Sequence, residues 1–71
     1  MTPQEFQKTR EHLGLSQQKL ADAIGISKSS VELYERGKRR DDGRPVEIPK
    51  TVALALAALC LGITDYHGPG A

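Results

Sequence analysis

The chain has 71 residues, 38% hydrophobic and 27% charged, with a formal net charge of +1. One domain of this size buries only about 60% of its unfolded surface, so its stability margin is small. A lone cysteine, Cys60, excludes an internal disulfide, and no Cys/His cluster offers a structural metal site. Regular helical packing or a partner subunit is left to hold the fold. The longest apolar run, Val52 to Leu61, is ten residues, against about 20 for a membrane span. The N-terminus reads as a helix start rather than a signal peptide, so the cytoplasm is the expected compartment.

A capping box opens the first helix: Thr2 caps, Pro3 takes the first turn, and Glu5 reaches back. This helix runs to about His12, with Phe6, Thr9 and Arg10 inward, and Gly14 ends it. Ser16 caps a second helix, Gln17 to Ile24, whose Leu20, Ala21 and Ile24 share one side. Gly25 stops it and Ile26 plugs the turn. Ser27 caps a third helix from Lys28 to Arg36, closed by Gly37. Its Val31, Tyr34 and Glu35 face inward, while Lys28, Ser29, Glu32, Leu33 and Arg36 face outward. Residues 38–49 read as an ordered loop or exposed arm. Pro49 starts a fourth helix to about Leu61, and residues 64–71 read as a flexible tail behind a domain of residues 1–63. Nothing reads as a strand, so the fold class is all-α, a compact bundle of four to five helices.

Residues 15–37 form the informative stretch. Two short helices meet at a tight turn around Gly25, with the small Ala21 four residues earlier. That spacing lets the second of them cross the first steeply and stand proud of the surface. A DNA major groove is just wide enough to admit such a helix. The pattern Ser16-Gln17, Leu20-Ala21, Ile24-Gly25-Ile26-Ser27, Val31 and Tyr34-Glu35-Arg36-Gly37-Lys38 resembles the Cro and phage-repressor, or Xre-type, helix-turn-helix family. The resemblance implies a small helical bundle that binds inverted repeats of double-stranded DNA as a homodimer. More narrowly, Arg44-Pro45 to Pro49 followed by Val52-Ala53-Leu54-Ala55-Leu56 is similar to small autoregulators associated with anti-CRISPR genes. Restriction-modification controllers are a further sub-class of the same kind.

Candidate contacts follow from the outward face. Lys28 reaches guanine O6 and N7; Ser29 meets a base edge or a phosphate; Glu32 accepts from cytosine or pairs within the helix. Leu33 meets a thymine methyl or packs on the following loop. Ser27 belongs to the same set. Gln17 and Gln18 begin the second helix, where backbone N–H groups attract phosphate. The resemblance implies that Gln17 also grips the DNA backbone; Gln18 is equally well an exposed helical residue. Arg36, Lys38, Arg39, Arg40 and Arg44, against Asp41 and Asp42, give a local charge of +3 beside that face. The resemblance also suggests that a loop arginine, Arg44 by preference, enters a minor groove. It implies a structural ion pair between Arg10 and Glu35.

The fourth helix is apolar on two sides. Val52, Ala55, Leu56 and Leu59 lie on one; Leu54, Ala57, Ala58 and Leu61 lie on the other and are the expected dimer interface. Alternatively the tail, through Ile63 and Tyr66, folds over that side. The functional expectation is a transcription regulator, most simply a dimeric autorepressor. An antitoxin-like module, with the fourth helix covering a protein partner, is the alternative. No catalytic set is apparent among the residues, and neither a cofactor nor a metal is expected.

Overall fold

The computed structural model describes residues 1–70; Ala71, the last residue of the expected tail, lies outside them. Four helices follow in order: α1 (Pro3–His12), α2 (Gln17–Ile24), α3 (Lys28–Arg36) and α4 (Lys50–Cys60). The starts of the first three are fixed by side chains that accept otherwise unpaired backbone N–H groups. Thr2 Oγ1 accepts from the Glu5 N–H at 3.1 Å, and Glu5 Oε1 accepts from the Thr2 N–H at 2.7 Å. These hydrogen bonds hold the Glu5 carboxyl below its usual pKa, the backbone N–H of Thr2 contributing most. The capping box therefore strengthens above the normal carboxylate range and weakens as acid protonates Glu5. Ser16 and Ser27 cap α2 and α3 in the same way, each through its hydroxyl oxygen.

α4 departs from expectation at both ends. Pro49 is its N-cap rather than its first residue, because its extended backbone precedes the helical turn; Leu61 is the C-cap. No side chain caps its start, so α4 depends on packing for its place.

The core consists of Phe6, Leu20, Ala21, Val31, Val52 and Leu56, with Leu15, Ile24, Ile26, Tyr34, Ile48 and Leu59 packed around them. Phe6 meets Tyr34 edge to face, ring centroids 5.8 Å apart. Ala21 is fully buried where α2 passes α3. The Gly25 and Ile26 N–H groups both return to the Ala21 carbonyl, closing the turn that sets the crossing. Gly25 adopts φ +77°, a left-handed conformation that costs other residues energy.

Gly37 has a second constraint. Its φ is +81°, and a Cβ there would stand 2.8 Å from Pro3 Cγ. The end of α3 thus lies directly on the start of α1. Among the described residues there is no strand, but residues 38–45 form a short antiparallel arm with one bridge, Lys38 to Pro45. The Val46 N–H donates to the Gly37 carbonyl and ties the arm to the end of α3.

Gly37→Ala is expected to cost about 2 kcal/mol or more, since it adds a steric clash to the strain. Gly25→Ala, with open space around its Cβ position, should cost about 1 kcal/mol. Urea unfolding of both variants checks this; equal losses would mean that the Pro3 contact gives way freely.

Candidate nucleic-acid interface

One side of the molecule is polar, helical and basic. α3 lies along it with Lys28 and Ser29 exposed at its start and Arg36 exposed at its end. Between them Glu32 and Leu33 are half-buried. Val31 is fully buried on the opposite side, with Tyr34 and Glu35 half-buried beside it. The helix is therefore anchored by one face and free on the other. Ser29, Glu32, Arg36 and Arg40 line a shallow polar recess where the arm approaches α3. Ser27 is exposed, but its Oγ already accepts from the Ser30 N–H at 3.1 Å, so its first role is capping.

A polar network holds this face in place from behind. Arg10 on α1 donates from Nε to Glu35 Oε2 at 2.6 Å and from Nη2 to Glu35 Oε1 at 3.1 Å. It also donates from Nη1 to the Leu15 carbonyl at 3.0 Å. The two side chains are 15% and 9% exposed, so water screens the pair little. The hydrogen bond to Glu35 raises the Arg10 pKa above its already high value, against the opposing effect of desolvation. One edge of the planar guanidinium, Nε and Nη2, fits both carboxylate oxygens, and Nη1 is a third donor to the α1–α2 turn. Sequence reasoning missed one member: Gln17 Nε2 donates to Glu35 Oε1 at 3.3 Å, drawing Gln17 partly inward. Its position at the first turn of α2 was a visible signal; its partner was not. Gln18 instead reaches Asp22 Oδ1 along its own helix at 3.0 Å and is exposed.

The basic arm is a structured feature. The Arg39 N–H donates to the Arg44 carbonyl at 2.9 Å, and the Gly43 N–H to the Arg39 carbonyl at 3.0 Å. Lys38, Arg39, Arg40 and Arg44 are all exposed on it. Arg36 Nε donates to the Lys38 carbonyl at 2.8 Å, which fastens the arm beside the end of α3. The exposed Lys28, Ser29 and Arg36 of α3, the start of α2 and the basic arm are the candidate nucleic-acid interface.

A family model for helix-turn-helix domains matches residues 6–40, about half of the chain. The protein carries a helix-turn-helix domain of the Cro and phage-repressor family. No curated protein and no solved structure matches the chain. Within the helix-turn-helix, α2 and α3 are the paired helices, α1 braces them through Arg10, and the match runs into the arm. The domain makes the chain a DNA-binding regulator of the Cro and repressor type. No helix among the described residues is long and apolar enough to cross a membrane.

The remaining expected site lies on α4, away from the helix-turn-helix. Leu54 is 59% exposed, Leu61 78%, and Ala57 is exposed with them. Ala58 stands at the edge of that side, four residues after Leu54 and three before Leu61. It is half-buried and lines an apolar groove with Ala23, Ile24, Ala55 and Leu59. The reason is helical geometry: Ala58 follows Ala55 by three residues and so stands next to it. The described residues of the tail do not cover the outer side. Tyr66 is 81% exposed, and Ile63 sits only at the rim of the groove.

Arg10→Ala should destabilise the domain by about 2 kcal/mol, roughly 10 °C in melting temperature, because it leaves Glu35 partly buried and unpaired. Thermal unfolding by circular dichroism checks this. An unchanged transition would remove the network from the account of the fold.

Proposed function

We propose that the protein is a dimeric autorepressor that binds an inverted repeat in DNA. The observation that carries this is the row on α3: Lys28, Ser29, Glu32 and Leu33 face away from the core on a helix anchored at Val31 and Glu35. α3 enters the major groove. Lys28 takes guanine, Ser29 a base edge or phosphate, Glu32 a cytosine amino group, and Leu33 a thymine methyl. Gln17 contributes at the start of α2, where its backbone N–H and the amide hydrogen left over from Glu35 meet a phosphate. Arg36, Lys38, Arg39, Arg40 and Arg44 supply further backbone contacts, with Arg44 the arm residue nearest a minor groove in this reading. Gln18 and Ser27 are peripheral in this reading: Gln18 is tied to Asp22 along its own helix, and the Ser27 hydroxyl caps α3.

One α3 reads only a few base pairs. Two copies related by a dyad read half-sites one helical turn apart, about 34–36 Å. Leu54, Ala57 and Leu61 support such a pairing, because they leave an apolar strip on α4 that no described residue covers. A dimer that forms from its own product ties DNA affinity to protein concentration, which suits autoregulation.

The test is binding to DNA from directly upstream of the coding sequence, against a scrambled duplex, from about 50 to 200 mM salt. Sequence-dependent binding that survives the higher salt, with a two-fold footprint, is expected. Equal binding on both duplexes, lost at the higher salt, would contradict the operator reading. Leu54→Glu should leave a folded monomer that binds the same DNA at least about ten-fold more weakly, since one reading head then works alone. Sedimentation and anisotropy check it. A wild-type protein that stays monomeric at high concentration would pass the α4 strip to a different protein, as in an antitoxin.

A further inference from the structure

The arm carries an arrangement of charge that DNA contact alone does not explain. Its single bridge pairs Lys38 with Pro45, and the flanking hydrogen bonds join Gly37 to Val46 and Arg39 to Arg44. Arg39 and Arg44 are therefore the next facing pair, and the two-residue alternation of extended backbone puts both on one face of the arm. Like charges directly opposite one another are destabilising. Asp42 offsets this. Its Oδ1 accepts from the Arg44 N–H at 3.0 Å and shapes the turn. Its Oδ2 lies 3.4 Å from Arg44 Nε. Asp41 is engaged differently. Its Oδ1 accepts from the Asp42 N–H at 2.9 Å, and it makes no ion pair among the described residues. Of two adjacent aspartates, one faces an arginine and one does not.

We infer that Asp42 is a specificity-determining residue, which holds Arg44 away from generic DNA and releases it only where a cognate site seats α3. The inference rests on the DNA reading above. Non-specific binding is set largely by the number of phosphates that a protein neutralises. An arginine already paired contributes less to that number, so generic affinity falls. At a site that α3 reads, the arm is pressed against the backbone and a phosphate displaces the carboxylate. Discrimination is a ratio of affinities, and lowering the weaker one raises it without any new base contact.

Asp42→Asn isolates the effect, because an amide oxygen still accepts the Arg44 N–H while the charge is lost. Asp41→Asn removes the same charge one residue away and serves as the matched control. Each is titrated against a scrambled duplex of about 20 base pairs by anisotropy, from about 50 to 200 mM salt. Asp42→Asn is expected to tighten this binding about two- to five-fold, the range of an exposed ion pair. The slope of log affinity on log salt should steepen by about 0.9. Asp41→Asn should change both far less, and Arg44→Ala added to Asp42→Asn should abolish the gain. Equal tightening by the two single variants would overturn the proposal in favour of net charge alone, and no tightening by Asp42→Asn would overturn it outright. A wild-type protein that binds no duplex, scrambled or upstream, would overturn the DNA reading itself and this inference with it.

Discussion

The bracket between Arg10 and Glu35 is the contact on which the working surface depends. It joins α1 to the inner face of α3, and its third donor fixes the turn that leads into α2. Gln17 adds α2 itself to the same carboxylate. Three helices too short to be stable alone are thus joined by one polar cluster as well as by the shared core of Phe6, Leu20 and Val31. A groove reader needs that fixity, because a helix that tilts loses its register against base edges. Burial of the pair is not in itself a source of much stability, since desolvation offsets most of the attraction. Its value is geometric: the partners lock one arrangement, and breaking either leaves a charge stranded.

The first three helices were legible in the sequence because their boundaries are chemical. Thr2, Ser16 and Ser27 are hydroxyl caps, and Gly25 and Gly37 take left-handed turns that few other residues accept. Inward Val31 and outward Lys28 followed from helical period alone. The Arg10–Glu35 pairing was not visible in spacing, since 25 residues separate the partners; it came from the resemblance to a family. Gln17 joining them was not anticipated, because an exposed-looking polar residue gives no sign of the carboxylate brought to it by folding. The hairpin form of the arm was also hidden. Its pairing involves so few residues that no alternation can register, although Asp41-Asp42-Gly43 between arginines is a turn signal.

α4 shows the limit of reading a helix that is apolar all round. With alanine on nearly every side, hydrophobicity no longer marks the inner face, and Ala58 stands between the groove and the outer side. Shape decides instead: Val52 and Leu56 reach the core, whereas Leu54 and Leu61 stand in solvent. The same helix lacks a side-chain cap and rests mainly on α2. A second subunit on its outer side would stabilise it as well as set the spacing of two reading heads. The fold and the proposed mode of action therefore use opposite sides of the same helix, Val52 and Leu56 for the core and Leu54 and Leu61 for the partner.

The central claim is that the outer row of α3 reads bases. The most direct measurement is selection of bound duplexes from a random library by the wild-type protein and by Lys28→Ala. The account predicts a defined motif with two-fold symmetry for the wild type. It predicts loss of preference at one position of each half-site for the variant, with other positions kept. A wild-type selection that yields no motif, or a Lys28→Ala motif identical to the wild type's, would contradict it.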